Sequence, residues 1–250
     1  MQPISATLIT YNEEHNIAQA LQALSWVDEI VVVDSGSRDE TVEICRRFTD
    51  RIFYREWTGY ADQKNFALTK ARNDWILALD ADERPSAELC REIQDLARKG
   101  FPKRAYRIPR VAFFMDRWIR HGDWYPDYQL RLFDRRCGKW EGGRVHESFR
   151  TREEIGYLKG EIYHYTYRNF SDYLKRLEIY STLAALDYHE GGKKATALKL
   201  FVDPVAVFFQ GYLLKRGFLD GLPGFAAAVM GSISVFFKYA KLYELQHLRH

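Results

Sequence analysis

Short apolar runs recur through the first hundred residues and are separated by polar stretches. Residues 29–34 (Glu-Ile-Val-Val-Val-Asp) are rich in β-branched side chains, as buried parallel strands are. These runs predict strands at 4–10, 29–34, 51–54 and 75–79. Between them, apolar residues recur at helical spacing, and Pro85 and Ser86 form a helix start signal. These stretches predict helices at 14–24, 39–48, 60–71 and 86–98.

The alternation of strands and helices predicts an α/β fold with a Rossmann-like, mostly parallel sheet flanked by helices. Ligands of such sheets bind beyond the carboxyl ends of the strands. Polar segments follow three predicted strands at that edge: 10–14 (Thr-Tyr-Asn-Glu-Glu), 34–37 (Asp-Ser-Gly-Ser) and 80–83 (Asp-Ala-Asp-Glu). We therefore expect a binding site where these three segments meet.

The remainder of the chain changes character. Residues 101–165 are rich in Arg, Trp, Tyr and Gly, and their strand-like runs predict a mixed-sheet half that completes a substrate cleft. Residues 171–190 resume helical spacing, and residues 197–243 are apolar with Pro and Gly interruptions. We predict a catalytic domain over 1–190 and a C-terminal helical extension over 191–250.

Composition and charge narrow the classes of function. Hydrophobic residues make up 46% of the chain and charged residues 28%, which excludes a disordered protein. The net charge of +3 is too small to indicate nucleic-acid binding. Residues 193–250 hold eight Lys/Arg and three Asp/Glu, a local net charge of +5. This local excess indicates an anionic surface as partner.

Two uncharged runs, 204–214 and 221–237, have Lys or Arg on both sides. The longer run contains Pro223 and Gly224 and is shorter than the ~20 residues that a membrane-spanning helix needs. We therefore expect helices that lie in the interface of an anionic membrane. Packing against the catalytic domain or against a second subunit is the alternative.

The cysteines give no sign of a metal site or a disulfide framework. Cys45, Cys90 and Cys137 are widely spaced and form no CxxC pair. The chain begins on a predicted strand, without the pattern of a secretory signal. We expect a protein of the reducing cytoplasm.

Asp80 and Asp82 lie one residue apart, directly after the run Ile-Leu-Ala-Leu. Two carboxylates at a strand end bind a hard cation and, through it, a diphosphate. A solvated loop that caps a helix is the alternative, because Asp-x-Asp is common by chance. The position of the pair in an alternating strand–helix chain favours the metal site.

Other polar residues at this edge are candidate ligands. Asp34 can accept hydrogen bonds from a ribose or a base, although tight turns favour the same residue type. Asn12 or Glu13 contacts the base, or only begins a helix. Lys64 and Asn65 suit a phosphate and a ribose near a helix start, and a solvated helix face is the alternative.

The second half of the chain adds candidates for proton transfer and charge. Glu147 follows His146 in a glycine-containing segment beside Trp140, which suits a general base facing a sugar hydroxyl. A surface strand is the alternative. Arg131 clamps a phosphate or serves a structural ion pair, and His164 is a third metal ligand or a core histidine.

Four ordered segments together resemble the family 2 inverting glycosyltransferases of the A-type fold. They are 9–14 (Ile-Thr-Tyr-Asn-Glu-Glu), 33–41 (Val-Asp-Ser-Gly-Ser-Arg-Asp-Glu-Thr), 59–65 (Gly-Tyr-Ala-Asp-Gln-Lys-Asn) and 79–83 (Leu-Asp-Ala-Asp-Glu). Within the family, the chain is similar over nearly its whole length to the bacterial branch that includes the lipopolysaccharide-core β-1,4-glucosyltransferases. The resemblance implies a UDP-sugar donor and Mg²⁺ or Mn²⁺ as cofactor.

The resemblance also implies residue roles. Asp34, with the segment holding Asn12 and Glu13, binds the nucleoside, while Asp82 contacts the metal at the diphosphate. Glu147 falls at the family's catalytic acidic residue, although the family often has Glu-Asp where this chain has His-Glu. His164 falls where many A-type enzymes have a late histidine on the metal. The expected site comprises Thr10, Asn12, Glu13, Asp34, Lys64, Asn65, Asp80, Ala81 and Arg131 for the nucleotide sugar, Asp80, Asp82 and His164 for the metal, and Glu147 for catalysis.

The resulting prediction is a hexosyltransferase, with glucose as the first candidate. Residues 1–100 would bind the nucleotide sugar and 101–165 the acceptor, a cell-envelope glycan or lipid-linked molecule such as the lipopolysaccharide core. We expect it on the inner face of the cell membrane, as a monomer or homo-oligomer. A sugar nucleotidyltransferase is the first alternative, although its glycine-rich N-terminal phosphate loop is missing. A non-catalytic sugar-nucleotide-binding scaffold is the second.

Overall fold

The computed structural model describes residues 1–143, 147–167 and 169–247. The contacts divide the chain into two compact units. The first comprises Met1–Arg110, Asp127–Gly142 and His146–Tyr165, and the second Val111–Pro126, Gly143–Val145 and Thr166–His250. The predicted functional division at residue 190 stays a prediction.

The strands and helices are numbered in chain order. The strands are β1 (Ile4–Thr10), β2 (Glu29–Asp34), β3 (Ile52–Tyr54), β4 (Trp75–Asp80), β5 (Glu83–Pro85), β6 (Ala105–Phe114), β7 (Arg117–Ile119), β8 (Asp127–Asp134), β9 (Gly138–Gly142), β10 (Glu147–Thr151), β11 (Ile155–Tyr157) and β12 (Ile162–His164). The helices are α1 (Ile17–Gln22), α2 (Thr41–Cys45), α3 (Tyr60–Lys70), α4 (Ala87–Lys99), α5 (Phe170–Glu190), α6 (Ala197–Phe209) and α7 (Gly221–His247).

The sheet of the first unit is parallel on one side and mixed on the other. Its order is β3-β2-β1-β4-β8-β6-β12-β5, with β11 added in parallel to β6. The first four strands in this order are parallel, as the sequence predicts, and β8 joins β4 in the antiparallel direction. Strands β9 and β10 form a separate antiparallel hairpin. The predicted α/β class with a mostly parallel sheet is confirmed.

Helices cover both faces of the parallel part. Every residue of β1 is buried. Leu8 packs with α1 and α4, whereas Ile9 packs with Ala67 of α3 on the other face. Helix α4 begins where the sequence predicts, because the Ser86 hydroxyl accepts a hydrogen bond from the Leu89 amide at 3.1 Å. Burial on both faces explains why the strands read as continuous apolar runs.

The second unit is built mainly from three helices. Helix α7 packs along α5, where the Tyr173 hydroxyl donates to the Met230 carbonyl at 2.9 Å and Ala185 contacts Tyr239. The predicted interruptions at Pro204 and Pro223 do not break the helices. Pro204 lies inside α6 and Pro223 lies in the first turn of α7, where a missing N–H removes no helical bond.

The helices break only between α6 and α7 in the described part of residues 197–247. A π-helical turn at Gln210–Leu214 and a 3₁₀ turn at Gly217–Asp220 connect them. As a result, Ala197–Leu214 and Gly217–His247 are each long and apolar enough to cross a membrane by length and composition. In an 18-residue apolar window of each segment, only 11% and 22% of the residues are buried, so neither is a core helix of the usual kind.

All three cysteines are free thiols with raised pKa values. Burial raises the pKa of Cys45 to about 12 and that of Cys90 to about 11. Burial likewise raises the pKa of the half-buried Cys137.

The end of β8 is fixed by a buried carboxylate. Asp134 accepts hydrogen bonds from the Arg136 amide and guanidinium at 2.7–3.0 Å and from Arg104 at 3.1 Å. Burial acts to raise the pKa of Asp134, but these partners outweigh it and hold the pKa at about 2. The ionised form of Asp134 therefore stabilises the fold.

We expect Asp134→Asn to lower the free energy of unfolding by about 2–3 kcal/mol at pH 7, from the gap between a folded pKa near 2 and an unfolded pKa near 3.9. Because the folded pKa is depressed, this stabilisation is complete above about pH 4 and is lost as the pH falls through about 2. Urea unfolding at pH 7 and pH 3 measures the effect. The exposed Asp95→Asn serves as control, and a pH-independent deficit in Asp134→Asn would contradict the assignment.

Candidate active site

The predicted polar segments meet at one edge of the first unit's sheet. Thr10 lies opposite Asp34 in the pairing of β1 with β2, and Ile9 lies opposite Asp80 in the pairing of β1 with β4. The carboxyl ends of these three strands are therefore side by side. Thr10 is buried, and its hydroxyl has no hydrogen-bond partner among the described residues.

Asp34 organises its own turn. Its carboxylate accepts hydrogen bonds from the Gly36 amide at 2.9 Å, the Ser37 amide at 3.0 Å and the Ser37 hydroxyl at 2.5 Å. Gly36 has a φ of 93°, which suits glycine. Turn chemistry thus accounts for Asp34 on its own, and its role in binding a ribose or base stays a prediction.

The segment after β1 is tied to this turn. Asn12 has a φ of 55°. Its backbone N–H donates to the Ser37 hydroxyl, and its side-chain oxygen accepts from the backbone N–H of Arg38. The Glu13 amide donates to the Thr41 hydroxyl at 2.8 Å. The two loops therefore form one connected rim, in which Asn12 and Glu13 are adjacent to the Asp34 turn.

Lys64 connects two of the predicted site carboxylates. Its ammonium lies 2.9 Å from Asp80 Oδ1 and 2.7 Å from Glu147 Oε1, and 4.8 Å from the centre of the Trp140 ring. Lys64 is buried on α3, Asp80 ends β4 and Glu147 begins β10. The Lys64 ammonium thus holds Glu147, the predicted base, next to Asp80 at the end of β4. His146, the other half of the predicted pair, lies outside the described residues.

Asn65 fastens the β9–β10 hairpin to α3. Its side-chain amide donates to the Trp140 carbonyl and accepts from the Trp140 amide, each at 2.9 Å. This reciprocal pair gives Asn65 a structural task beside Lys64. Its predicted contact with a ribose or diphosphate is untested.

Arg131 lies in a buried network of alternating charges. Its Nη2 donates to Asp80 Oδ2 at 2.6 Å and to Glu83 Oε1 at 2.9 Å. Arg110 donates to the same Glu83 oxygen at 2.8 Å and to Asp127 at 2.6 Å. Burial acts to raise the pKa of Asp80, but Arg131 and Lys64 outweigh it and hold that pKa well below its ordinary value.

Arg131 also has unused donors. Its Nε and Nη1 have no hydrogen-bond partner in the described parts of the chain, although the side chain is buried. Buried donors without partners are costly, and an anion is the group that satisfies a guanidinium. This geometry fits both predicted roles of Arg131, because one nitrogen serves the ion pairs and two remain.

Asp82 and His164 approach each other because β5 pairs with β12. In that ladder His164 lies opposite Glu83, and the Tyr165 amide donates to the Asp82 carbonyl at 2.9 Å. His164 Nε2 is 3.4 Å from Asp82 Oδ2. Ala81 between the two aspartates has its methyl group buried in the core, so only its backbone can contact a ligand.

Comparison with known proteins identifies the family. The sequence profile of glycosyl transferase family 2 matches residues 5–171, well over half of the chain. The protein is a family 2 glycosyltransferase. The predicted family, enzyme class and A-type fold are therefore confirmed.

Named relatives of this glycosyltransferase cover nearly its whole length. It is 30% identical over 254 residues to the lipopolysaccharide core biosynthesis glycosyltransferase LpsC of Rhizobium meliloti, covering 99% of this chain and 94% of that one. It is 29% identical over 259 residues to the uncharacterized glycosyltransferase RT0209 of Rickettsia typhi, covering 98% and 88%. Residues 1–349 of S. aureus TarS, solved with UDP-GlcNAc, share the fold with a TM-score of 0.52 and 14% identity, over 100% of this chain and 93% of that one.

The donor set of this glycosyltransferase fits a divalent cation at Asp82 and His164. A carboxylate and an imidazole are adjacent there; carboxylates are ligands of both Mg²⁺ and Mn²⁺, and imidazoles are ligands of transition-metal ions. Asp80 differs, because its two oxygens face Lys64 and Arg131. No group of three or more His, Cys, Asp or Glu side chains in the described residues is arranged as a metal cage. The predicted three-residue metal site stays a prediction.

Glu83 and Arg110 were missed by sequence reasoning as site residues of the glycosyltransferase. Glu83 is fully buried, accepts from both arginines, and also accepts from the Asp80 amide through Oε2 at 3.0 Å. The sequence did contain a signal for Glu83, because it is a third acidic residue directly after Asp-Ala-Asp. Arg110 had no comparable local signal, since its partners lie on β5 and β8.

We expect Arg131→Met to lower the free energy of unfolding by about 3–5 kcal/mol, because it removes the cation that half-buried Asp80 and fully buried Glu83 share. Urea unfolding followed by circular dichroism measures the change. The exposed Arg150→Met on β10 is the matched control and should stay within about 0.5 kcal/mol of the wild type. A small effect in Arg131→Met would show that the network contributes little to stability.

Proposed function

We propose that this protein is a metal-dependent inverting glycosyltransferase that moves a hexose, with glucose as the first candidate, from a UDP-sugar to a cell-envelope acceptor. The observation that carries the proposal is Lys64, which holds the carboxylate of Glu147 and that of Asp80 within 2.9 Å of one ammonium. In a family 2 fold, a carboxylate held beside the strand that ends in Asp-x-Asp supports the role of Glu147 as base. The UDP-GlcNAc complex of TarS, a protein of the same fold, supports a UDP-sugar donor.

Glu147 would act as the general base. Its carboxylate takes the proton of the acceptor hydroxyl while the hydroxyl oxygen forms a bond to the anomeric carbon. The bond from that carbon to the diphosphate breaks on the opposite side, so the configuration inverts. Lys64 orients the carboxylate through the 2.7 Å contact before the proton moves.

The leaving diphosphate carries the negative charge that this step releases. The unused donors of Arg131 and the ammonium of Lys64 supply positive charge next to Asp80. Asp82 and His164 would hold the cation, and a bound Mg²⁺ or Mn²⁺ would offset the diphosphate charge as a Lewis acid. The buried position of Arg131 fixes its orientation, so little reorganisation accompanies the reaction.

The acceptor belongs to the cell envelope in this proposal. The named relative LpsC acts in lipopolysaccharide core biosynthesis, and a lipid-linked or lipopolysaccharide core acceptor lies at a membrane. The local charge of +5 over residues 193–250 and the exposed helices of the second unit support a location on the inner face of the membrane. Release of nucleoside diphosphate from a panel of donors tests the reaction, and absence of release from every donor would refute it.

Donor binding should depend on metal through Asp82. Calorimetry with UDP-glucose, with and without Mn²⁺, should show metal-dependent affinity in the wild type and a loss of about 10–100-fold in Asp82→Ala, the scale reached even when only a supporting residue of a metal site is removed. Asp95→Ala, at an exposed position on α4, is the control. Equal metal-dependent affinity in Asp82→Ala and the wild type would remove Asp82 from the site.

Glu147→Gln should retain the fold and donor binding but lose transfer by roughly 10²-fold or more, because the amide still accepts from Lys64 and cannot take a proton. Donor binding by calorimetry and transfer by diphosphate release separate the two effects. Glu141→Gln is a suitable control, since Glu141 is exposed and pairs with Lys139 in the same hairpin. Near-normal turnover in Glu147→Gln would assign the base to another residue, with Asp127 next in line.

A further inference from the structure

We propose that α6, the turns that follow it and the first turns of α7 lie flat in the interface of an anionic lipid bilayer, and that neither apolar segment crosses it. This inference rests on the membrane location in the proposed function. It adds the surface that contacts the lipid and the orientation of that surface.

Helix α6 presents a continuous apolar face to the solvent. Exposed apolar side chains recur at helical spacing along it and continue through the turns into α7. This apolar stripe consists of Leu198, Phe201, Val202, Val205, Phe209, Leu213, Leu214, Phe218, Leu219 and Leu222. Leu214, at the turn, is 80% exposed. A contiguous apolar surface of this kind marks an interaction site.

The opposite side of the same helices is already occupied. Pro204 of α6 is buried, and Leu200 packs against the cluster of Ala185, Tyr239 and Leu242. The stripe is therefore the outer face of a packed helical layer. Helices α5 and α7 therefore do not cover the stripe.

The turn between α6 and α7 is tied to the segment Val111–Pro126 of the same unit. The buried Asp220 carboxylate accepts from the Arg120 amide at 2.9 Å and the His121 amide at 2.8 Å, and lies 2.9 Å from His121 Nδ1. Lys215 Nζ is 2.7 Å from Asp123 Oδ1. The Gly122 amide also donates to the Lys215 carbonyl at 2.9 Å.

This attachment prevents the turn from crossing a bilayer. Val111–Pro126 begins after Arg110 and ends before Asp127, which are direct partners across β6 and β8. Because both ends of this loop are held together, no residue in it is more than about eight residues from an end. Eight residues span at most about 28 Å when fully extended, which is less than the ~30 Å thickness of the hydrocarbon core. Crossing would also place the Asp220–His121 and Lys215–Asp123 pairs in hydrocarbon, where ionisable groups are costly.

The charges around the stripe indicate what binds to it. Lys193 and Lys194 precede α6, and Lys215 and Arg216 lie in the turns that follow it, so basic residues lie beyond both ends of α6. A flat helix puts both of its ends at the same depth, where anionic headgroups attract Lys193, Lys194 and Arg216, while Lys215 is paired with Asp123. A second copy of the chain related by two-fold symmetry would instead bring like charges together. The charge pattern therefore favours an anionic lipid surface over a dimer.

The first test measures binding of the full chain to vesicles of phosphatidylglycerol and phosphatidylethanolamine by co-sedimentation. Phe209→Glu should weaken binding at least tenfold, while Ile179→Glu on α5 should bind as the wild type does; the exposures of Phe209 and Ile179 are 50% and 52%. Binding should weaken with salt without vanishing, because insertion adds an apolar part. Leu214→Glu is a second variant at an exposed position, should Phe209→Glu fail to fold. Equal losses on α5 and α6, or no binding at low salt, would refute the surface, and a dimer in light scattering would assign the stripe to a second copy.

The second test measures depth. Nitroxide labels on Phe201→Cys, Leu214→Cys and Leu222→Cys should all lie at a similar shallow depth, about 5–10 Å into the headgroup and acyl boundary. A graded profile with one label at the bilayer centre would show a crossing segment and overturn the proposal, as would retention in the membrane after alkaline carbonate extraction. Failure of the proposed reaction would appear in diphosphate release and would leave these depths unchanged.

Discussion

A chain of alternating charges, with its members buried or half-buried, holds the site together. In order it contains Glu147, Lys64, Asp80, Arg131, Glu83, Arg110 and Asp127. Each charge would be costly to bury alone, since a single unpaired ion in the interior is penalised by several kcal/mol. Here each inner member has an opposite charge on both sides, so the penalty is offset along the whole chain.

This constraint makes catalysis and folding depend on the same contacts. The members come from α3, β4, β5, β6, β8 and β10, which are distant in sequence. Arg131 joins the end of β4 to β5, and Lys64 joins β4 to the hairpin that carries the proposed base. The Asn65–Trp140 pair adds a neutral clamp beside the ionic one. Removing the charge of an inner member such as Arg131 therefore deprives both of its neighbours of a partner, and stability and activity should change together there.

Much of the parallel half could be predicted from the sequence, because its information is local. The β-branched run of β2 and the Ser86 cap of α4 identify elements without any knowledge of their neighbours. Three of the four motif segments likewise lie at strand ends that share one edge of the sheet, and the fourth, 59–65, lies at the start of α3. Predicted boundaries were too wide at two helices: α1 is six residues long in a stretch predicted as helix from 14 to 24, and α2 is five residues long in a stretch predicted from 39 to 48.

The mixed half could not be predicted in the same way, because its contacts depend on strand order. The nearness of His164 to Asp82 arises from the pairing of β12 with β5, and periodicity carries no information about that pairing. The same holds for the partners of Arg110. Pro204 and Pro223 led to predicted helix breaks that the structure does not have. Tertiary packing accommodates Pro204 inside α6, and Pro223 lies in the first turn of α7, where proline is acceptable.

The raised pKa values of the three thiols determine how readily they react. Oxidants and alkylating agents react with the thiolate, and at neutral pH Cys45, Cys90 and Cys137 remain almost entirely protonated. At neutral pH the three thiols are therefore weak nucleophiles, because so little of each is present as thiolate. Alkylating agents should accordingly modify them more slowly than they modify an ordinary exposed cysteine.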